Sequence, residues 1–123
     1  MKMRDNIVAD TDSYKYTHYW QYPEGTENVW SYFEARTGAK FNKTLWYGLQ
    51  YYLMEYLEGI VVTRDLIDEA EDLALNHFGT LDGTFNRPMW EYIVDKYDGR
   101  LPIRICSVPE GSFIPVSNIL MSI

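Results

Sequence analysis

A short segment near the N-terminus, residues 11–23, holds most of the side chains that could recognise a small ligand. It crowds phenols, a carboxylate, an amine and hydroxyl groups into one run. A segment that only packs against a core does not need this mixture, because buried polar groups cost free energy unless they find partners. Tyrosine combines a large ring with a polar tip, which suits ligand walls and interfaces. The segment therefore predicts binding of a flat, polar, aromatic ligand.

Three residues are the candidates for direct contact with such a ligand. Tyr14 could stack on an aromatic ring, and Asp12 could accept a hydrogen bond from an amide NH₂ group. Arg36 ends a predicted strand, from which its guanidinium could bind phosphate oxygens through two parallel hydrogen bonds. Local chemistry leaves simpler roles open, because Asp12 can be a helix cap and Arg36 an edge charge.

Other sites of chemistry find little support in the sequence. It contains no Gly-rich phosphate loop of the P-loop or dinucleotide type and no Gly-x-Ser-x-Gly motif. His18, His77 and Cys106 are too few and too scattered for a usual structural zinc site. We expect Cys106 to be a small packed strand residue. Acidic pairs such as Asp68-Glu69 are expected on the solvated face of a helix.

Composition predicts a single domain over residues 1–123. The chain is 46% hydrophobic and 24% charged, which is typical of a globular protein. Its net charge of -7 argues against nucleic acid and anionic membranes as partners. No apolar run is long enough for a membrane helix, and no secretion signal is recognised. With a single cysteine, these features favour the cytoplasm.

The elements that must position the candidate residues form an α+β pattern. Asp12 or Ser13 can cap a short helix over residues 14–21, and the β-branched and aromatic run 29–36 predicts a strand that ends at Arg36. A polar turn, residues 37–40, follows.

Three longer helices are predicted next. The first spans residues 44–58, and its apolar stripe consists of Leu45, Leu49, Tyr52, Leu53 and Tyr56. The second begins after Thr63 as cap, and its buried face consists of Leu66, Ile67, Ala70, Leu73, Ala74 and Phe78. The third is capped by Asn86, has Pro88 in its first turn and ends at Gly99.

The pattern then changes to strands. Residues 102–108 and 112–116 predict two strands around a tight turn at residues 109–111, and Pro115 would suit an edge or a bulge. The run 118–123 is apolar and strand-like, and we expect it to expose a hydrophobic edge that makes the chain poorly soluble or oligomeric. It indicates a cut through a larger domain, the alternative being a terminal strand that completes a sheet.

Several motifs in this order resemble the nicotinamide phosphoribosyltransferases. The resemblance begins with Thr11-Asp12-Ser13-Tyr14-Lys15, Thr17-His18-Tyr19 and Gln21-Tyr22-Pro23. It continues through Ser31-Tyr32-Phe33-Glu34 with Arg36, Tyr47-Gly48-Leu49-Gln50-Tyr51, Tyr97-Asp98-Gly99 with Leu101-Pro102-Ile103, and Val108-Pro109-Glu110-Gly111 with Ile114-Pro115. The short connection between Arg36 and Trp46 is similar to bacterial and phage members. The related nicotinate enzymes share only a shorter start.

The resemblance implies a function and a set of partners. The family makes nicotinamide mononucleotide and pyrophosphate from nicotinamide and phosphoribosyl pyrophosphate, as a homodimer whose active sites lie across the subunit interface. Tyr14 would stack on the nicotinamide ring, Asp12 would lie near the carboxamide, and Arg36 would bind phosphate or pyrophosphate oxygens. Magnesium would accompany the diphosphate, some members couple the reaction to ATP, and neither is expected on this part alone.

The resemblance also implies that these residues are only the N-terminal part of a type II phosphoribosyltransferase. The family's fold here is α+β, a mostly antiparallel sheet with three to four helices, and the later barrel domain holds the rest of the pocket. We expect no catalytic residue and no metal ligand in this part, which would be inactive alone. The alternatives are a non-catalytic module that binds or regulates a full-length enzyme, a nicotinate phosphoribosyltransferase fragment and, more distantly, an unrelated aromatic-rich domain that binds a ligand such as carbohydrate.

Overall fold

The computed structural model describes residues 6–123, and the prediction for this part of the chain, an α+β fold with antiparallel sheets, is confirmed. The chain divides into two compact units. Unit 1 comprises Met1–Thr26 and Met54–Pro102, and unit 2 comprises Glu27–Leu53 and Ile103–Ile123. Among the described residues, no helix is both long and apolar enough to cross a bilayer. The prediction of a single domain over residues 1–123 stays a prediction.

The described residues contain three α-helices, of which the two longer ones belong to unit 1. Helix α1, Leu49–Tyr52, lies in unit 2 and runs on as π-helical residues, Leu53–Leu57. Helix α2, Arg64–Phe78, begins where the Thr63 hydroxyl accepts a hydrogen bond from the backbone N–H of Leu66, as the sequence predicted. Helix α3, Arg87–Tyr97, has Pro88 in its first turn.

The core of unit 1 lies along one face of α2. Its buried members are Val8, Val61, Val62, Ile67, Ala70, Ala74 and Phe85. The helical spacing of Ile67, Ala70 and Ala74 is the signal that predicted this face. The prediction that Leu73 belongs to the same face is wrong, because its side chain is 51% exposed. Leu73 lies one position before Ala74 and so points away from the core.

Unit 2 contains two antiparallel sheets. The first joins β1, Tyr32–Glu34, β5, Ile119–Ser122, and β3, Cys106–Ser107, in the order β1-β5-β3. The second pairs β2, Lys43–Leu45, with β4, Phe113–Pro115, and places Leu45 opposite Phe113. Pro115 lies at the edge position that the sequence predicted for it.

Three predictions for unit 2 are wrong. Residues 43–45, which overlap the start of the helix expected over residues 44–58, form β2 because they pair with β4. The strand predicted for residues 102–108 is limited to β3, where Cys106 is exposed and not packed. The run 118–123 does not leave an open sheet edge, because β5 pairs with β1 on one side and β3 on the other. An open edge at this strand is therefore not a source of poor solubility.

Candidate functional site

Asp12 and Tyr14 lie at the start of a 3₁₀ helix, Ser13–Gln21, in unit 1. The predicted short helix is confirmed, although the side chain of Asp12 makes no capping hydrogen bond. Instead its carbonyl oxygen accepts from the backbone N–H of Lys15 at 2.9 Å. The Asp12 carboxylate is therefore not used to close the helix, and it lies exposed at the start of the segment.

Two aromatic side chains fix this 3₁₀ helix to the rest of unit 1. The ring of Tyr16 meets that of Phe78 edge-on, with centroids 5.6 Å apart, and its hydroxyl donates to the carbonyl of Ala9 at 3.4 Å. The indole N–H of Trp20 donates to the carbonyl of Gly83 at 3.1 Å. Burial raises the pKa of Tyr16. Tyr16 is partly buried, whereas the ring of Trp20 is 66% exposed and is attached through its hydrogen bond.

Tyr14 is another exposed side chain of this segment. It is 62% exposed, so most of its ring is accessible to a ligand. One side of it meets the ring of His18 at 66°, with centroids 5.2 Å apart. The Thr17 hydroxyl donates to the carbonyl of Tyr14 at 3.2 Å. The hydrogen bond fixes the backbone at Tyr14, and the contact with His18 leaves a face of the ring open for stacking.

Lys15 connects the two candidate residues of this segment. Its ammonium lies 3.5 Å from the carboxylate of Asp12 and 5.8 Å from the ring centroid of Tyr14. An exposed pair of this kind is weak and exchanges readily with solvent or ligand. The arrangement therefore places an acceptor, a cation and an aromatic ring together on one exposed surface, which a polar heteroaromatic ligand could use.

Arg36, the third candidate residue, belongs to unit 2. It lies two residues beyond β1, whose register shifts between Phe33 and Glu34, and its side chain is exposed. The preceding carbonyl, that of Ala35, accepts from the backbone N–H of Ser117 at 2.9 Å. Within the described residues, Arg36 forms no ion pair. Its guanidinium is thus available to an anion.

The charge of the chain is divided unevenly between the units. Unit 2 contains four basic residues, Arg36, Lys40, Lys43 and Arg104, and three acidic residues, Glu27, Glu34 and Glu110, a net charge of +1. The whole chain carries -7, so the other unit carries -8. The net charge of unit 2 itself therefore does not repel a phosphate-bearing ligand.

The remaining chemical candidates have structural roles. Asp68 and Glu71 on α2 form ion pairs with Arg87 at 2.7 Å each, so this acidic face stabilises the helix pair. His77 is exposed in the last turn of α2, as expected for a histidine at the negative end of a helix. Within residues 6–123, no group of three or more His, Cys, Asp or Glu side chains is placed to hold a metal ion.

Sequence reasoning missed a further residue that organises unit 2. The Glu110 carboxylate accepts hydrogen bonds from the backbone N–H groups of Gly48 and Gln50 at 3.1 and 2.8 Å. It therefore supplies the cap at the start of α1 from a turn about sixty residues away. No local pattern reveals such a partner, although both segments appear among the motifs of the resemblance.

Comparison with known proteins agrees with these motifs. Residues 6–105 match the family described as nicotinamide phosphoribosyltransferase, N-terminal domain. A nicotinamide phosphoribosyltransferase of Xanthomonas campestris is 42% identical over 123 residues, which cover 100% of this chain and 25% of the relative. One of Acinetobacter baylyi is 29% identical, over 91% of this chain and 24% of the relative. The chain thus spans about a quarter of the length of these curated relatives, and it belongs to the family of nicotinamide phosphoribosyltransferase N-terminal domains.

Proposed function

We propose that this chain is the N-terminal part of an enzyme that transfers phosphoribosyl from phosphoribosyl pyrophosphate to nicotinamide. The products would be nicotinamide mononucleotide and pyrophosphate, within salvage of NAD. The observation that carries the proposal is the exposed Tyr14 ring beside the Asp12 carboxylate, on a helix fixed by Tyr16 and Trp20. Family membership supports it.

The proposed roles follow from the chemistry of each group. Tyr14 stacks on the pyridine ring and holds the ring nitrogen in line with the sugar carbon that it attacks, which is catalysis by positioning. Asp12 accepts a hydrogen bond from the carboxamide NH₂. Arg36 binds phosphate oxygens through its planar fork and stabilises negative charge that grows on the departing pyrophosphate.

Several features of the complete enzyme remain part of the proposal. We infer a homodimer in the cytoplasm, with the remaining pocket and the catalytic groups supplied by a barrel outside these residues. Magnesium, when bound, would neutralise charge on the diphosphate. We propose that the phosphates of the substrate hold it. Coupling to ATP would also depend on the barrel.

A tyrosine series in the complete enzyme tests the proposal. Tyr14→Ala should lower kcat/KM for nicotinamide at least tenfold, whereas Tyr14→Phe, which keeps the ring, should retain most of it. Tyr92→Ala is the matched control, because Tyr92 is also exposed but lies on α3. Equal kinetics for Tyr14→Ala and the parent would overturn the site assignment.

Nicotinate is the competing substrate, and Asp12 favours nicotinamide over it. An exposed carboxylate can accept from a carboxamide but repels the carboxylate of nicotinate. Asp12→Asn should therefore lower the ratio of kcat/KM for nicotinamide to kcat/KM for nicotinate. An unchanged ratio would assign the discrimination to another residue. The regulatory-module alternative predicts instead that the chain binds an intact enzyme and changes its turnover on mixing.

A further inference from the structure

The segment that links β1 to β2, taken together with the first residue of β2, is unusually basic for this acidic chain. We call residues 36–43 the basic loop, because Arg36, Lys40 and Lys43 fall within it and no acidic residue does. All three side chains belong to exposed residues. Three of the four basic residues of unit 2 are therefore concentrated in one connection.

Two backbone hydrogen bonds close the basic loop at its ends. The N–H of Ser117 donates to the carbonyl of Ala35 at 2.9 Å, and that of Val116 donates to the carbonyl of Asn42 at 3.0 Å. Because the two donors are consecutive, the two carbonyl oxygens lie within about 10 Å of each other. Arg36 and Lys43 each follow one of these anchored carbonyls, so they stand at the two closed ends of the same loop.

The turn that provides these donors is itself fixed. Asn118 donates its side-chain amide to the carbonyls of Pro115 and Val116, at 3.2 and 3.1 Å. Ser117 has a positive φ of 60°, a conformation that costs energy for a residue with a Cβ and persists where its surroundings determine it. The ends of the basic loop are thus attached to an ordered turn between β4 and β5.

The three cations of the basic loop differ from other basic residues of the chain in their contacts with acids. In the part of the chain that the structure describes, none of them forms an ion pair. One acid of the same unit, Glu110, is engaged with two backbone N–H groups instead. Lys40 lies 5.6 Å from the ring centroid of its neighbour Phe41. Arg87 in unit 1 shows the opposite case, because three carboxylates surround it.

We propose that the basic loop is a binding site for a diphosphate group, in which Lys40 and Lys43 act together with Arg36. This inference rests on the proposed function and extends it, because it assigns two lysines to the diphosphate. A diphosphate carries several charges over two phosphorus centres, so one guanidinium cannot match it. Arg36 supplies the planar bidentate contact, and the lysines supply compact charges on flexible stems.

Binding of inorganic pyrophosphate to the 123-residue chain tests the inference, measured by titration calorimetry at low and moderate ionic strength. Lys40→Gln/Lys43→Gln should weaken binding about tenfold and reduce its salt dependence. Arg104→Gln is the control, because it removes one exposed charge of unit 2 outside the loop. If the double variant does not fold by circular dichroism, Lys40→Gln alone, which lies outside any strand, takes its place.

The outcomes separate this inference from the proposed function. Undetectable pyrophosphate binding by the parent chain, or equal losses in the double variant and Arg104→Gln, overturns the basic loop as a specific site. If only Arg36→Ala abolishes binding, the lysines are excluded and the proposed function survives. If the lysines control pyrophosphate binding while Tyr14→Ala leaves nicotinamide use intact, the loop stands and the assignment of the pyridine site fails. Tighter binding of phosphoribosyl pyrophosphate than of pyrophosphate, lost in the double variant, would extend the site to the substrate itself.

Discussion

The carboxylate of Glu110 lies 2.8 Å from the backbone nitrogen of Gln50 and accepts its N–H. The same oxygen accepts from the N–H of Gly48 at 3.1 Å. Helix α1 is only four residues long and cannot satisfy its own first N–H groups. A side chain from a distant turn therefore supplies the acceptor that the local sequence lacks.

Glu110→Ala should lower the free energy of unfolding by about 1 kcal/mol, the usual cost of losing an N-terminal cap. Glu110→Gln keeps an oxygen acceptor but loses the charge that favours a helix N-terminus, so a smaller loss is expected. Denaturant unfolding measures both. Glu34→Ala, an exposed acid of the same unit, is the control and should change little. Equal losses of stability for Glu110→Ala and Glu34→Ala would show that Glu110 does not act as a cap.

Two alanine substitutions on α2 should differ strongly in their effect on the free energy of unfolding. Ile67 is fully buried, and Ile67→Ala should destabilise unit 1 by about 2–5 kcal/mol through lost burial and a cavity. Leu73 on the same helix is 51% exposed, and Leu73→Ala should cost less than about 1 kcal/mol. Thermal unfolding of the two variants gives the comparison. A large loss at Leu73 would show that it packs against something in solution.

Gly99 has no room for a side chain. A Cβ at this position would lie 2.1 Å from the carbonyl oxygen of Val62, and the φ of Gly99 is 74°. The carbonyl of Gly99 also accepts from the N–H groups of Val61 and Val62 at 3.0 Å each, so the backbone cannot simply move away. Gly99→Ala should cost about 3 kcal/mol or more in the free energy of unfolding, measured with denaturant.

Gly79→Ala is the control for that substitution. Gly79 has nearly the same φ, 73°, but a Cβ added to it would meet nothing within 4 Å. Only conformational strain of about 1 kcal/mol is expected. If both alanine variants lose the same stability, close approach to Val62 is not the reason that position 99 needs glycine.

Arg87 should be a salt-sensitive centre of stability in unit 1. Its guanidinium bonds Asp68 and Glu71 at 2.7 Å and Glu91 at 2.9 Å, and these hydrogen bonds raise its pKa. Arg87→Ala should lower Tm, because Asp68 and Glu71 lose this guanidinium. Glu91 then keeps its 3.8 Å contact with Arg64. Added salt should then reduce the difference in Tm between Arg87→Ala and the parent. Arg100→Ala, an exposed arginine, is the control, and an equal fall in Tm there would argue against the network.

Alkaline pH should weaken unit 1 through Tyr16. Burial raises the pKa of Tyr16 above its ordinary value of 10.0, so the folded state holds the phenol proton more tightly than the unfolded chain. This contribution is fully present below about pH 10 and is lost as the pH rises through the raised value. Tyr16→Phe should lessen the fall of Tm with alkaline pH, and the exposed Tyr14→Phe should not. If Tm falls equally with pH in the parent, Tyr16→Phe and Tyr14→Phe, Tyr16 is not the cause of the alkaline loss of stability.

Local signals predicted the helices of unit 1 better than the strands of unit 2. Thr63 and Pro88 mark helix starts through local chemistry, and α2 and α3 were found near their observed bounds. Lys43–Leu45 were not predicted as a strand because their partner, Phe113–Pro115, is about seventy residues away. Periodicity carries no information about such a partner, and the central position of β5 was missed for the same reason.

The candidate site shows the same division. Residue types identified the segment around Tyr14, but they could not show that Tyr16 and Trp20 serve as its anchors. Both anchors depend on groups far along the chain, Phe78 and Gly83. Tyrosines look alike in a sequence, and only the fold separates those that hold a segment from those that remain exposed.

The central position of β5 has a consequence for the order of events during synthesis. Ser122 pairs with both Tyr32 and Cys106, so the three-stranded sheet cannot form until residue 122 has left the ribosome. The Tyr32 strand must wait through about ninety residues of translation, whereas the α2–α3 pair can already assemble. During that interval the backbone N–H and C=O groups of Tyr32–Glu34 lack the strand with which they pair. A nascent chain stalled before β5 would therefore be a natural client for a chaperone.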